Sequence, residues 1–290
     1  MHRGGLVKRL RNWLLFLVVV LIWSSNWPIM KVGLTYVDPW SFIYHRFLLS
    51  TTALFLLLLI LKRKVPTDRR VLVRLFILGL ITSIGITLTS LGLVYEKSGV
   101  SAILTYTQPL FVFCMAIPFL GEKASIGRVL GVFIGFLGVV VLSTRGGSLI
   151  DRLDLPVFLL VAGAFLWAAA IIYYKKFLSH VDPAVTNIFQ LGVGVVLLTP
   201  VIALKGLAFP PSLEYIPVIL YTSVCAQGVA LTLWVLLLRE EEATVLSSSS
   251  FMVPVAAFMF GWLILGETVE PKVLLGSALI LTGVYIVNKI

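Results

Sequence analysis

Charge is scarce in this chain. Of 290 residues only 12% are charged against 59% hydrophobic, and the mean hydropathy is +1.05. A water-soluble domain of this length cannot hide that much apolar surface, so that class is excluded. Cysteine is nearly absent: Cys114 and Cys225 lie inside apolar runs without metal-ligand spacing, and both read as core packing. They say nothing about redox compartment. Histidine occurs three times, as His2, His45 and His180, and only His45 falls near a span. There is no His-Glu-x-x-His zinc motif, no aspartate pair at span depth and no Gly-x-Ser-x-Gly elbow with a histidine partner. The sequence therefore offers no basis for an intramembrane enzyme, and neither a cofactor nor a metal is expected. A P-loop is also missing, so ATP does not drive the chain directly. The net charge of +10 gathers in short loops, which reflects membrane topology rather than a nucleic-acid partner.

What the chain has in abundance is long apolar runs, and about 20 such residues cross a bilayer as a helix. Ten are expected, near Asn12–Gly33, Pro39–Leu61, Val71–Val94, Gly99–Leu120, Ile126–Ser143, Leu155–Tyr174, Pro183–Leu204, Tyr215–Leu238, Ala243–Leu265 and Pro271–Asn288. The first is too long for a signal-peptide core and lacks a small-residue cleavage site, so it reads as a retained span. The fold class is an all-α integral membrane protein with ten transmembrane helices.

The chain is also written twice. Pro109, Glu122, Gly131 and Gly138 recur 145 residues later as Pro254, Glu267, Gly276 and Gly283. Trp23, Lys31 and Asp38-Pro39 recur 144 residues later as Trp167, Lys175 and Asp182-Pro183. The repeats span residues 12–143 and 155–288, joined by a polar link at 144–154. Five spans per repeat is an odd number, so the second copy enters the membrane from the opposite side. Such inverted-topology repeats recur in secondary transporters, where the ligand sits near the midplane between the halves.

Lysine and arginine cluster before the first span and at Lys62–Arg74, which puts both termini in the cytoplasm. Glu122 then lies inside and Glu267 outside.

Polar residues within the spans mark the candidate site. Trp23-Ser24-Ser25-Asn26-Trp27-Pro28 is a proline-broken polar patch, either a packed kink or a cavity wall. Arg46 lies about 10 Å into its span; it either snorkels, forms a structural ion pair, or anchors an anion. His45 reads as a hydrogen-bonded interfacial residue. Ser83, Thr87 and Ser90 form one stripe, and Ser101, Thr105 and Gln108 another. Gln108 beside Pro109, with Tyr106 near, is an amide at depth that needs partners. Gly127, Gly131 and Gly135 form a close-packing face. The second half offers Trp167, Gln227 and Trp234, and four serines, Ser247 to Ser250, just before Pro254.

The patch Trp23–Pro28, the triplet His45-Arg46-Phe47, and Pro109 and Pro254 with Leu120-Gly121-Glu122 and Leu265-Gly266-Glu267 resemble the EamA-type permeases of the drug/metabolite transporter superfamily. The resemblance covers both repeats. It implies a ten-helix inverted-repeat carrier in a prokaryotic cytoplasmic membrane, moving small metabolites, often outward; amino acids are among the family's substrates. Ser24 departs from the family's more frequent glycine, and Ala170 replaces the asparagine in the second copy.

The expected site thus combines Trp23, Asn26, Arg46, Tyr106, Gln108, Trp167, Gln227, Trp234, Ser247 and Ser250. Aromatics would give flat contact, amides and hydroxyls orientation, and Arg46 a carboxylate partner. The expected partners are a small-molecule metabolite and membrane lipid. Glu96, Glu122 and Glu267 all lie at span ends, which leaves facilitated exchange or weak coupling through those groups; protons stay open as a coupling ion. A lipid flippase and a passive pore are the alternatives, and monomer and homodimer are equally open.

Overall fold

The computed structural model describes residues 3–123, 125–143, 155–210, 212–266 and 272–289; the link at 144–154 and Glu267 lie outside them. The helices are α1 (Arg3–Gly33), α2 (Pro39–Ile60), α3 (Arg69–Tyr95), α4 (Ser98–Thr105), α5 (Gln108–Leu120), α6 (Ile126–Ser143), α7 (Leu155–Phe177), α8 (Pro183–Lys205), α9 (Tyr215–Leu220), α10 (Leu231–Glu240), α11 (Ala243–Ser249), α12 (Met252–Leu265) and α13 (Lys272–Lys289). A π-helical segment, Tyr221–Ala230, joins α9 to α10. Counting α4–α5, α9–π–α10 and α11–α12 as single spans gives ten. Eight of them are long and apolar enough to cross a membrane, and α6 and α13 carry the shorter apolar stretches Ile126–Gly138 and Ala278–Val287.

Both interrupted pairs have the same cause. Pro109 and Pro254 cannot donate to the carbonyls of Thr105 and Ser250 four residues earlier, and the helices break at Tyr106–Thr107 and Ser250–Phe251. Repeat logic also governs the caps. The Asp38 carboxylate accepts from the amides of Trp40 and Ser41 to start α2, and that of Asp182 accepts from Ala184 and Val185 to start α8. Gly121 and Gly266, 145 residues apart, end α5 and α12 with φ of 69° and 64°, a left-handed turn that costs glycine nothing.

The halves interlock by exchange. α1 packs on α12 while α7 packs on α5, and α2 meets its own repeat partner α8, as α6 meets α13. At the α6–α13 seam the backbones touch. A Cβ on Gly131 would come 2.9 Å from the Gly283 carbonyl, and one on Gly138 would come 2.6 Å from that of Gly276. Between lipid-facing helices such contact supplies van der Waals packing that apolar side chains alone do not.

Opposite insertion is visible in one repeated contact. The Lys31 ammonium, near the end of α1, donates to the carbonyls of Leu93, Val94 and Glu96 at the end of α3. The Lys175 ammonium, near the end of α7, donates to the carbonyl of Glu241 after α10. Glu96 and Glu241 are repeat partners. Yet Arg11, 20 residues and thus about 30 Å before Lys31 on the same helix, pairs with Glu240. The two lysine contacts therefore lie at opposite ends of the bundle, called here the Lys31 end and the Glu240 end.

The Glu240 end holds a polar knot. Lys8 and Arg11 reach Glu240, Asn12 bonds Glu240 and Glu241, and Arg128 pairs with Glu242 at 2.6 Å. Arg63 reaches Asp182. Each of these ion pairs joins a cation of the chain's first half to a carboxylate of its second.

The reading of the cysteines needs correction. Cys114 lies exposed on α5 and Cys225 is only partly buried. In a membrane bundle the outer surface is as apolar as the core, so apolar neighbours in sequence do not imply burial.

Candidate functional site

Between the repeats lies a cavity of about 110 Å³, walled chiefly by apolar atoms with a few polar groups. The first repeat supplies Trp23, Asn26, Trp27 and Met30 from α1, Arg46 from α2, Ile86, Thr89 and Ser90 from α3, and Thr105, Tyr106 and Gln108 from the α4–α5 break. The second supplies Trp167, Ala226, Gln227, Leu231, Trp234 and Ser250. Nine of the ten residues expected from sequence are thus brought to one cavity. The exception is Ser247, fully buried on α11 and not part of the wall; its hydroxyl has no protein partner.

Three tryptophans form the apolar floor. Trp23 meets Trp167 edge to face, with ring centroids 5.7 Å apart, and Trp234 at 5.2 Å with the planes tilted by 47°. The indole N–H of Trp23 donates to the Ala226 carbonyl at 3.1 Å, whereas that of Trp234 is buried without a protein partner. An indole N–H enclosed in an apolar site favours an acceptor.

The π-helical segment is built into this wall. The wider turn brings a row of its carbonyls within reach of side chains from three other helices. Thr222 accepts from Arg46 Nε at 3.5 Å, Ala226 from Trp23, and Gln227 and Gly228 from the Asn187 amide at 2.9 and 3.1 Å. The corresponding stretch of the first repeat, residues 76–85, is ordinary α-helix within α3. Such π insertions concentrate at functional sites because they re-aim side chains by a fraction of a turn.

Arg46 neither snorkels nor forms an ion pair. It is 4% exposed, turned into the bundle, and no carboxylate among the described residues lies within ion-pair reach of it. Its guanidinium makes long contacts to the Thr222 carbonyl and to the Ser90 hydroxyl at 3.4 Å, and lies 5.7 Å from the centre of the Phe42 ring. The neighbours orient the Gln227 amide: its nitrogen donates to Ser50 Oγ at 3.0 Å and its oxygen accepts from Arg46 Nη2 at 3.3 Å. A buried guanidinium with five donors and such weak partners retains capacity for a planar oxyanion.

Further polar atoms are buried here without protein partners: Asn26 Oδ1, Thr105 Oγ1 and Gln108 Nε2. The Asn26 amide nitrogen reaches only the Met30 sulfur, at 3.0 Å. The Trp23–Pro28 patch proves to be both a packing surface and a wall. Ser24 donates to the Val253 carbonyl and Ser25 bonds the Tyr221 hydroxyl at 2.6 Å, while Trp23, Asn26 and Trp27 face the cavity.

Other expected polar residues are structural. The Ser83 hydroxyl donates to the Gln190 carbonyl, so of that stripe only Ser90 reaches the cavity. His45 shares a 3.0 Å hydrogen bond with the Tyr215 hydroxyl, away from the cavity wall. The Glu122 carboxylate accepts from the backbone amides of Ala243 and Thr244, capping α11 across the repeat boundary. Sequence reasoning missed Met30, Ile86, Thr89, Ala226 and Leu231. They are apolar or weakly polar and carry no signal separating cavity wall from packing.

Comparison with known proteins agrees with this architecture. A solved crystal structure superposes with a TM-score of 0.79 over 95% of this chain and 96% of its own, at 17% identity, a likeness of fold. An uncharacterized transporter of Bacillus subtilis, YoaV, is 28% identical over 92% of this chain and 93% of its own length. An uncharacterized transporter of Archaeoglobus fulgidus is 26% identical over 97% and 99%, and the uncharacterized inner membrane transporter YedA of Escherichia coli is 26% identical over 92% and 87%. The pattern of the EamA-like transporter family matches twice, over residues 11–144 and 154–289. Two inverted copies with a cavity between them, each matching that pattern, make this chain a member of the EamA-like transporter family, a multi-pass membrane transporter.

Proposed function

We propose that the chain is a secondary transporter, running as an exporter, of small amphipathic metabolites that carry a carboxylate, amino acids foremost. It works by alternating access between the two repeats, in the cytoplasmic membrane of a prokaryote. The Glu240 end faces the cytoplasm with both termini, because the N-terminal cations and the Lys62–Arg74 cluster lie there.

One observation carries this reading: Arg46, a buried cation with no carboxylate in reach among the described residues, faces the same cavity as four tryptophans and a set of unpartnered polar atoms. In an apolar surround a guanidinium–carboxylate pair is strong, and the indoles suit the apolar part of the ligand. The Trp234 N–H and Gln108 amide nitrogen would donate to it, and Asn26 Oδ1 would accept from an ammonium. Among the described residues no Asp or Glu belongs to the cavity wall, which supports facilitated exchange over proton-coupled transport. The knot at the Glu240 end supports a carrier over a pore, since it ties the repeats together below the cavity.

The test is uptake into proteoliposomes of a panel of labelled amino acids, with and without a pH gradient, beside Arg46→Ala. Saturable, competable uptake that ignores the gradient and is lost in the variant for carboxylate ligands is expected. No uptake of any member by folded protein would overturn the substrate class.

A further inference from the structure

Below the main cavity, toward the Glu240 end, lies a second and much smaller one of about 20 Å³, room for about one water molecule and no metabolite. Its wall includes Ala170, Ile171, Tyr174, Gln190 and Val235. Each is the repeat partner of a residue in the main cavity wall, respectively Asn26, Trp27, Met30, Arg46 and Ser90, at offsets of 144 or 145. Trp167 and Trp234 belong to both walls and stand between the two spaces. The small cavity is thus the counterpart of the large one under the exchange of repeats, in its collapsed form.

Its polar atoms are arranged as if for a ligand. The Thr82 hydroxyl donates to Gln190 Oε1 at 2.9 Å, which fixes the amide and leaves Nε2 as the free donor. That nitrogen and the Tyr174 hydroxyl have no protein partner, although the two residues are only 4% and 2% exposed. Buried donors in a space too small for more than one water are costly in this state. The cost is recovered in a state where the space is open and filled.

We propose that Gln190, Tyr174 and their neighbours form a second ligand half-site, opening toward the Glu240 end as the large cavity closes, and that it holds the ligand through neutral donors instead of a cation. This rests on the carrier reading and adds the chemistry of the other state. An amide replaces the guanidinium and an alanine replaces Asn26, so the carboxylate loses its charged partner as the repeats exchange. A carboxylate ligand is then held more tightly from the Lys31 end than from the Glu240 end; a decarboxylated analogue shows no such difference.

Cysteine accessibility tests it without knowledge of the substrate. In a background carrying Cys114→Ala and Cys225→Ala, Asn26→Cys and Ala170→Cys are each exposed to a membrane-impermeant methanethiosulfonate reagent from either face of oriented vesicles. The two positions are expected to react from opposite faces, each at least tenfold faster from its own. Gln190→Cys, expected to behave as Ala170→Cys, carries the test if the latter fails to fold. Reaction of Asn26→Cys from one face with no reaction at position 170 or 190 from either would overturn the second half-site and leave the carrier reading intact. Reaction of both positions from both faces would indicate a continuous pore and overturn both.

Discussion

Trp23 and Trp167 occupy equivalent places in the two repeats, and their indole rings touch, edge to face, with centroids 5.7 Å apart and planes at 79°. A contact between repeat partners survives an exchange of the repeats' conformations, because the exchange maps the pair onto itself. In the carrier proposed above it would serve as a pivot, while Trp234, whose partner is Thr89, closes on Trp23 from one half only. Trp167→Ala removes a large, half-buried side chain, at a cost of about 2–3 kcal/mol, below that of a fully buried ring, whereas Trp167→Phe keeps a ring at the contact. Thermal unfolding in detergent should show a large fall in Tm for the first variant and a small one for the second.

Arg46→Gln should raise the half-saturation concentration for carboxylate substrates by roughly ten- to a hundredfold. A hydrogen bond to a charged group contributes about 1.5–3 kcal/mol, and about 1.4 kcal/mol is tenfold. The amide mimics what Gln190 already supplies at the partner position. Uptake of decarboxylated analogues should be almost unaffected, which separates lost recognition from lost fold.

The α6–α13 seam makes a contrast between two glycines. Gly131→Ala forces a methyl against the Gly283 carbonyl and should destabilise by about 1–3 kcal/mol. Gly192→Ala, whose nearest neighbour would be Thr51 Cγ2 at an ordinary 3.5 Å, should be neutral or stabilising by about 1 kcal/mol through helix propensity. Denaturant or thermal titration of the two variants side by side checks the difference in sign.

At the Glu240 end, each exposed ion pair is worth about 0–1 kcal/mol, yet several act together. Glu240→Gln with Glu242→Gln should ease opening of that end by about 1–2 kcal/mol, a factor of about 5–30. In the Ala170→Cys background the reagent should react correspondingly faster from that face. High salt should act in the same direction on the unmutated knot.

The lysine contacts predict opposite effects from equivalent substitutions. Lys31→Met frees carbonyls at the end of α3 and loosens the Lys31 end, while Lys175→Met does so beyond α10 at the other. Labelling at position 26 should rise in the first variant and at position 170 in the second. Equal changes at both positions would contradict the inverted arrangement.

The span pattern, the duplication and most of the cavity's polar residues were legible in the sequence. Deep polar side chains such as Asn26, Arg46 and Gln108 are expensive in a bilayer, so their presence alone points to the bundle interior. Proline pairs foretold the loosened helices but not where they break. Met30, Ile86 and Leu231 were illegible, because an apolar side chain looks the same against a neighbour, a ligand or lipid. The π-helical segment was hidden too, since nothing in Tyr221–Ala230 breaks helical pattern. The pairing of Glu240 and Glu242 with Arg11 and Arg128, across 229 and 114 residues of chain, leaves no local mark in the sequence.

Counterflow tests the carrier account most directly. Proteoliposomes loaded with unlabelled amino acid and diluted into trace labelled amino acid are followed over time, with no ion gradient. A carrier that alternates between the two cavities must accumulate label transiently above its equilibrium level, and in Arg46→Gln the overshoot for carboxylate ligands must require a roughly ten- to hundredfold higher loading concentration. Monotonic entry to equilibrium, with no overshoot for any transported ligand, would contradict alternating access and make the chain a pore.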